Sequence, residues 1–230
     1  MSVSINFPNP RTHKFPEWIL FGDYYYNARD IIGFGGALSI ENLSDAYSKG
    51  IFPWHIDGLP LPWFCPERRA ILEFSELHIP RTLRKERQRT DFEFSIDQNF
   101  SDVISLCAEA KRKHESGTWI TADFIEIYKR FHEIGKAHSV EVWEGNELVG
   151  GLYGVDAGGV FCGESMFHLR SNASKLALLY LIEHLRSRGA TWIDIQVMTP
   201  HFEILGAKEI DRAEFLDKLA STQARKLTLF

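Results

Sequence analysis

The sequence predicts an α+β chain in which a small N-terminal α/β piece precedes a larger domain built on a mixed sheet. Three observations predict it. Residues 137–164 hold three strand-like runs joined by Glu144-Gly145-Asn146 and Asp156-Ala157-Gly158, short turn-forming connections that make an antiparallel meander. A helix-length segment then separates the meander from a further strand at residues 192–197, and a strand reached by such a crossover can join the sheet in parallel. Finally, residues 59–66 carry Pro60, Pro62 and Pro66 around Trp63, which disfavours regular structure and marks a junction between residues 1–62 and 63–230.

Taken in order, residues 1–35 are rich in Pro, Gly and aromatics and read as irregular chain pinned by large side chains. Ser39 can cap a helix over residues 40–49, with Leu43, Ala46 and Tyr47 on one face and Gly50 at the stop position. Ile51-Phe52-Pro53-Trp54 follows as an apolar turn. The larger domain opens with a strand near 70–74, a basic helix near 81–89, a strand near 92–96 and a helix near 100–115. Thr121 caps an amphipathic helix carrying Phe124, Ile127, Tyr128 and Phe131, closed by Gly135. The strands fall at 137–143, 147–155 and 159–164. A helix opening at Ser171 or Asn172 runs through Leu176, Leu179, Tyr180 and Ile182 to Arg188, where Gly189 stops it. This order resembles the N-acetyltransferase (GNAT) fold.

Composition bounds the function classes. The chain has 230 residues, a formal charge of -5 and no apolar run near the ~18 residues of a membrane span. No signal-peptide core is present at the N-terminus, so the expected compartment is the cytoplasm. Cys65, Cys107 and Cys162 are odd in number and lack Cys-x-x-Cys spacing, which supports neither a disulfide framework nor zinc. None of the nine histidines forms a metal-binding pair on an expected helix, and no nucleotide motif appears, so no cofactor is expected. Cations concentrate at residues 81–89, five against one acid, and again at 111–114. Such a run can follow a phosphate backbone, although many solvated helix faces look the same.

Two segments suggest a site. Residues 161–167, Phe-Cys-Gly-Glu-Ser-Met-Phe, place a carboxylate and a thioether among aromatics at a strand end. In residues 192–197, period-two alternation puts Asp194 and Gln196 on one face and Ile193, Ile195 and Val197 on the other. A strand after a crossover is normally interior, so that polar pair must be hydrogen-bonded or must face a cavity. A coenzyme A pyrophosphate would need a Gly-rich cradle before the long helix, and Arg170-Ser-Asn-Ala-Ser-Lys175 offers Ala173 and Lys175 instead.

The ordered motifs resemble the leucyl/phenylalanyl-tRNA-protein transferase family over roughly residues 31–216. They are Gly35-Gly36, Ala46-Tyr47, Gly50-Ile51-Phe52-Pro53-Trp54, Thr118-Trp119-Ile120, and residues 137–143, 148–155 and 161–167. Asn172-Ala173-Ser174-Lys175, Asp194-Ile195-Gln196-Val197 and Leu205-Gly206-Ala207 complete the set. The resemblance implies a donor that is Leu-tRNA or Phe-tRNA, with Met as a further donor residue. It implies an acceptor protein beginning with Arg or Lys, marked in this way for N-end-rule degradation.

By position, the resemblance makes Trp54, Trp119, Phe161, Met166, Leu178, Leu181 and Leu185 the pocket for the amino acid and terminal adenosine. Leu178, Leu181 and Leu185 share a helix face, which by itself is also ordinary core spacing. Asp194 and Gln196 become the catalytic pair and Glu164 a substrate contact, while Arg81, Arg84, Lys85 and Arg87 become the tRNA-backbone contacts. A glutamine amide is a poor base, so the expected role of the pair is to orient the amine. Glu164 and Asp194 could also attract the acceptor's cationic side chain. The chain departs from the family pattern at Ala37 (usually Asp), Phe64-Cys65 (Trp-Ser) and Ile195 (Cys), and in a shorter C-terminal tail. The competing readings are an acyl-CoA-dependent N-acetyltransferase, which the loop at 170–175 disfavours, and a non-catalytic tRNA-binding module.

Overall fold

The computed structural model describes residues 6–110 and 118–230. Strands β1 (Trp18–Phe21) and β2 (Tyr24–Asn27) form an antiparallel hairpin that closes Phe21 on Tyr24 around Gly22-Asp23. Residues 1–35 are therefore not wholly irregular as expected. Two β-prone aromatic runs flank a two-residue loop, and Gly22 takes the positive φ of 59° that such loops require. Next come β3 (Ile31–Phe34), α1 (Ile40–Ser48), β4 (Phe52–Pro53) and β5 (Pro62–Phe64), with the strands ordered β3-β5-β4. The Ser39 side chain accepts the Asn42 N–H at the helix start. The expectations of a turn at 51–54 and of no regular structure at 59–66 are both corrected by this sheet. Pro62 stands at the first position of its strand, where a missing N–H is tolerated, and its carbonyl accepts from the Trp54 N–H. The expected domain junction consequently falls inside β5.

The remaining elements are β6 (Arg68–Glu73), α2 (Arg81–Arg89), β7 (Glu93–Ile96), α3 (Phe100–Glu109), α4 (Ala122–Glu133), β8 (Ala137–Glu144) and β9 (Glu147–Asp156). They continue with β10 (Phe161–His168), α5 (Ala173–Ser187), β11 (Trp192–Gln196), α6 (Pro200–Ile204), β12 (Lys208–Asp211) and α7 (Arg212–Gln223). Seven strands form one sheet in the order β12-β6-β11-β10-β9-β8-β7. Only β10 and β11 run parallel, so the sheet is mixed. Strand β10 runs past the expected end at 164 to His168. The expected helix end at 115 and the cations at 111–114 lie outside the described residues.

The sheet carries a separate core on each face. On one, α1, α3, α4 and α7 bury Leu43, Tyr47, Val103, Phe124, Tyr128 and Phe215 against Ile71, Tyr153, Cys162 and Trp192. On the other, α5 buries Leu176, Leu179 and Ile182 together with Val140, Val142, Leu152, Phe161 and Ile193. Gly150 permits this second packing, because a Cβ there would lie 2.5 Å from the Ala173 Cβ at the start of α5. Gly154 does the same for the Phe161 ring, which would meet an added Cβ at 2.5 Å.

Candidate active site

The parallel pair is where the sheet opens. β10 and β11 are joined at one register position, Cys162 opposite Asp194. Beyond it, β10 shifts register between Gly163 and Ser165 against β9, and β11 shifts between Asp194 and Gln196 against β6. The two strands diverge, and a cavity of about 280 Å³ occupies the space. A parting of parallel strands exposes backbone and side chains from both faces of a sheet to one space, which is where α/β sheets commonly bind ligands.

The cavity walls are mainly apolar. From the N-terminal segment comes Trp54, whose ring lies 5.2 Å from that of Trp119. Phe161 and Met166 of β10 and Leu178 and Leu181 of α5 contribute further apolar wall. These six residues were all expected at the site. Leu185, the seventh, does not line the cavity. It lies one helical turn farther along α5, fully buried in the core. Residues not anticipated also line it, among them Leu152, Tyr153, Ile193, Ile195, Thr199, His201 and Phe202.

Glu164 and Gln196 supply polar groups within this apolar wall. Gln196 Nε2 donates to Glu164 Oε1 at 2.7 Å. The same oxygen accepts from the Tyr47 hydroxyl at 2.7 Å, and Glu164 Oε2 accepts from the Tyr128 hydroxyl at 3.4 Å. The buried Tyr47 and Tyr128 hydroxyl oxygens lie 2.5 Å apart, and because each phenol has a single proton they bond to one another only when one of the two is not donating to Glu164. Burial raises the Glu164 pKa to about 7, with Asp194 adding to the rise while the Tyr47 and Gln196 hydrogen bonds and Arg69 oppose it. Burial, followed by the Glu164 charge, holds both tyrosines well above the ordinary phenol range.

Asp194 departs from expectation. Strict alternation predicts that Asp194 and Gln196 share a face, but the irregularity between them places Gln196, Ile193, Ile195 and Val197 at the cavity and Asp194 outside it. Val197 N–H donates back to the Ile195 carbonyl at 2.7 Å across Gln196, whose φ is +62°. This is the hydrogen-bond pattern of a γ-turn in its strained positive-φ form. Such a turn breaks the period of two and swings the Gln196 side chain toward Glu164. Meanwhile Arg69 of β6 donates Nε to Asp194 Oδ1 at 2.9 Å and Nη2 to Oδ2 at 2.6 Å. Asp194 Oδ1 also accepts the Gln196 backbone N–H at 2.9 Å, which ties the carboxylate to the turn. The expectation that Asp194 meets an incoming cation directly is thus corrected, since both of its oxygens are occupied inside the core.

Arg69 is a residue that sequence reasoning missed. Its guanidinium lies between Phe52 at 4.6 Å and Phe215 at 4.5 Å, which joins β4, β6 and α7 behind the site. One signal was available: a strand interior that carries an arginine needs a buried acid to meet it. His201 was missed too. It lines the cavity with Nε2 buried and without a hydrogen-bond partner among the described residues, and burial, aided by Lys175, lowers its pKa to about 4. At neutral pH it is an uncharged imidazole.

Arg81, Arg84, Lys85 and Arg87 are exposed along α2, and Leu83 anchors that helix to the core. Arg87 pairs with Glu183 of α5, whereas Arg81 and Lys85 have no acidic partner among the described residues. In the loop before α5, Arg170 is held by Glu144 and Glu147, and Asn172 takes a positive φ of 63°. None of the described helices is long and apolar enough to cross a membrane.

Comparison with known proteins accords with this layout. The family model described as leucyl/phenylalanyl-tRNA protein transferase matches residues 71–220, and the model for that family's N-terminal domain matches residues 36–67. The leucyl/phenylalanyl-tRNA–protein transferase of Pseudoalteromonas atlantica is 48% identical over 189 residues, 82% of this chain and 80% of that protein. The protein of the same name from Pectobacterium carotovorum is 43% identical over 222 residues, 96% of this chain and 89% of that one. Among solved structures, the L-PGS of Bacillus licheniformis is 14% identical, covers 65% of this chain and 48% of that chain, and has a TM-score of 0.40.

Proposed function

The chain belongs to the leucyl/phenylalanyl-tRNA protein transferase family, and from that membership we propose how its cavity moves leucine or phenylalanine from aminoacyl-tRNA to the N-terminus of an acceptor protein. One observation carries the reading. An apolar space of about 280 Å³ opens between β10 and β11, with the Gln196 amide and the Glu164 carboxylate hydrogen-bonded together at its wall. Trp54, Trp119, Phe161, Met166, Leu178 and Leu181 take the esterified side chain and the terminal adenosine, and Leu185 supports them from behind. A slot of this kind accepts unbranched or γ-branched residues such as Met, Phe and Leu, and β-branching close to the ester crowds its mouth.

An aminoacyl ester is already activated, and an α-amine with a pKa of about 7.7–8.0 is partly neutral at neutral pH, so positioning supplies much of the rate. Gln196 orients that amine against the ester carbonyl. Asp194 acts through Gln196 as a positioning residue, because it is locked by Arg69 and holds the Gln196 N–H. Glu164 offers the charge that favours an N-terminal Arg or Lys. Arg81, Arg84, Lys85 and Arg87 track the tRNA backbone, a contact that weakens as salt rises.

That the larger domain, expected over residues 63–230, is N-acetyltransferase-like is part of the same proposal, and the diverging parallel pair supports it. The N-terminal piece, expected over residues 1–62, extends through β5, because Trp63 and Phe64 pair with β3 and β4. We place the reaction in the cytoplasm, where the product is marked for N-end-rule degradation. Incubation with labelled Leu-tRNA and peptides beginning with Arg, Lys or Ala tests the reading. Label on the first two alone is expected, and label on none or on all three overturns it.

A further inference from the structure

We propose that Glu164 is the group that takes the proton from the acceptor's α-ammonium, and that Tyr47 and Tyr128 are positioning residues that hold its carboxylate for that step. The inference rests on the aminoacyl-transfer reading above and deepens it, since that reading leaves the proton without a destination. A protonated amine has no lone pair with which to attack an ester.

The groups around the cavity differ in their capacity to take it. From β11, Asp194 has both oxygens engaged by Arg69 of β6 and lies outside the cavity wall. The Gln196 amide is not usefully basic. His201 of α6 lines the cavity, but burial and then Lys175 lower its pKa to about 4, which leaves it a weak acceptor at neutral pH. Cys162 of β10 is a buried thiol held well above its ordinary range by burial and then by Asp194. Tyr47 of α1 and Tyr128 of α4 are held protonated by burial and by the neighbouring Glu164 charge. Glu164 remains, on the cavity wall and near 7, a value at which a carboxylate can both accept and release a proton under working conditions.

The geometry suits that cycle. Ionised Glu164 accepts three hydrogen bonds, from Tyr47 and Gln196 on Oε1 and from Tyr128 on Oε2. The phenols sit behind it in the α1/α4 core, and Gln196 comes from the strand that the reading uses to orient the amine. One N–H proton of the ammonium passes to a Glu164 oxygen and leaves a neutral amine. The nitrogen lone pair then forms the N–C bond at the ester carbonyl carbon. The ester C–O bond breaks, a second N–H proton ends on the departing ribose oxygen, and Glu164 returns its proton to water. An ammonium and an ester thus become an amide, an alcohol and one released proton.

The test uses the full chain with Leu-tRNA and saturating Arg-initiated peptide from pH 5.5 to 9. Wild type, Glu164→Gln and Tyr47→Phe are compared, and affinity for an amide-linked leucyl-adenosine is measured alongside. Wild-type kcat is expected to rise to a plateau through a midpoint near 7. Glu164→Gln should lower kcat about 100-fold or more at pH 7 and abolish that inflection, with binding of the leucyl-adenosine kept within a few-fold. Tyr47→Phe removes one hydrogen bond to the ionised form, so its midpoint should move to higher pH. The free peptide's amine is the same in all three assays, so a displacement between wild type and Tyr47→Phe arises within the site, where the Tyr47 hydroxyl contacts Glu164. A Glu164→Gln profile that keeps the wild-type inflection, or a Tyr47→Phe profile that is lowered without being displaced, overturns the proposal. Failure of the wild-type chain to transfer label to any peptide overturns the transfer reading itself.

Discussion

Arg69 grips Asp194 through two parallel hydrogen bonds, at 2.9 and 2.6 Å, and 1% or less of either side chain is exposed. The pair is a buried strut between β6 and β11, and the consequences for the cavity run through the Gln196 backbone.

Breaking the strut from one side should be costly. Arg69→Met leaves Asp194 charged and unpaired in the core, and a loss of roughly 3–5 kcal/mol is expected in urea unfolding. Arg69→Met combined with Asp194→Leu should recover much of that stability while transfer stays low. Recovery of activity in the double variant would show that the pair does not position Gln196.

Gln196 should behave in the opposite way. Its φ of +62° is a conformation that glycine adopts without strain. Gln196→Gly is therefore expected to leave stability within about 1 kcal/mol of wild type, strain relief offsetting the lost contacts, while transfer falls by about 10- to 100-fold. A variant as active as wild type would remove Gln196 from the mechanism.

Leu181 and Leu185 separate pocket from core. Either change to Ala should destabilise by about 2–5 kcal/mol, since both are fully buried. Only Leu181→Ala enlarges the cavity, so competition between Leu-tRNA and Phe-tRNA should shift several-fold toward Phe in that variant alone. An equal shift in Leu185→Ala would contradict the wall described above.

Glu164 makes stability depend on pH. Its folded pKa of about 7 lies above the ordinary 4.5, so the folded chain binds the extra proton between those values. The stabilising contribution of the protonated carboxyl is complete below 4.5, declines across the window and is gone above about 7. Glu164→Gln should be more stable than wild type at pH 8 by up to about 2 kcal/mol, a discounted figure because the carboxylate opens on the cavity. That advantage should fade toward pH 4.5. Thermal melts at both pH values measure it, and an equal difference at each would refute the assignment.

Much of this was legible along the chain because it is written locally. The β8-β9-β10 meander follows from turn residues between apolar runs, and α1 and α4 follow from their apolar faces and from Ser39 and Gly135. Trp54, Trp119, Phe161, Met166, Leu178 and Leu181 could be named from ordered motifs. The hairpin β1-β2 was equally local, and its Gly22-Asp23 loop between aromatic runs was the signal passed over.

What required the tertiary structure is non-local by nature. Alternation assumes an unbroken strand, and a single strained turn at Gln196 sends Asp194 to Arg69 and Gln196 to Glu164. Arg69 and Asp194 stand 125 residues apart, and Tyr47 and Glu164 117 apart, so no periodicity relates them. The sequence by itself determined which elements form and which side chains are apolar or ionisable. Packing alone decided which of those ionisable groups are sealed and which remain open, because the stability of a buried charge depends on the partner that the fold brings to it.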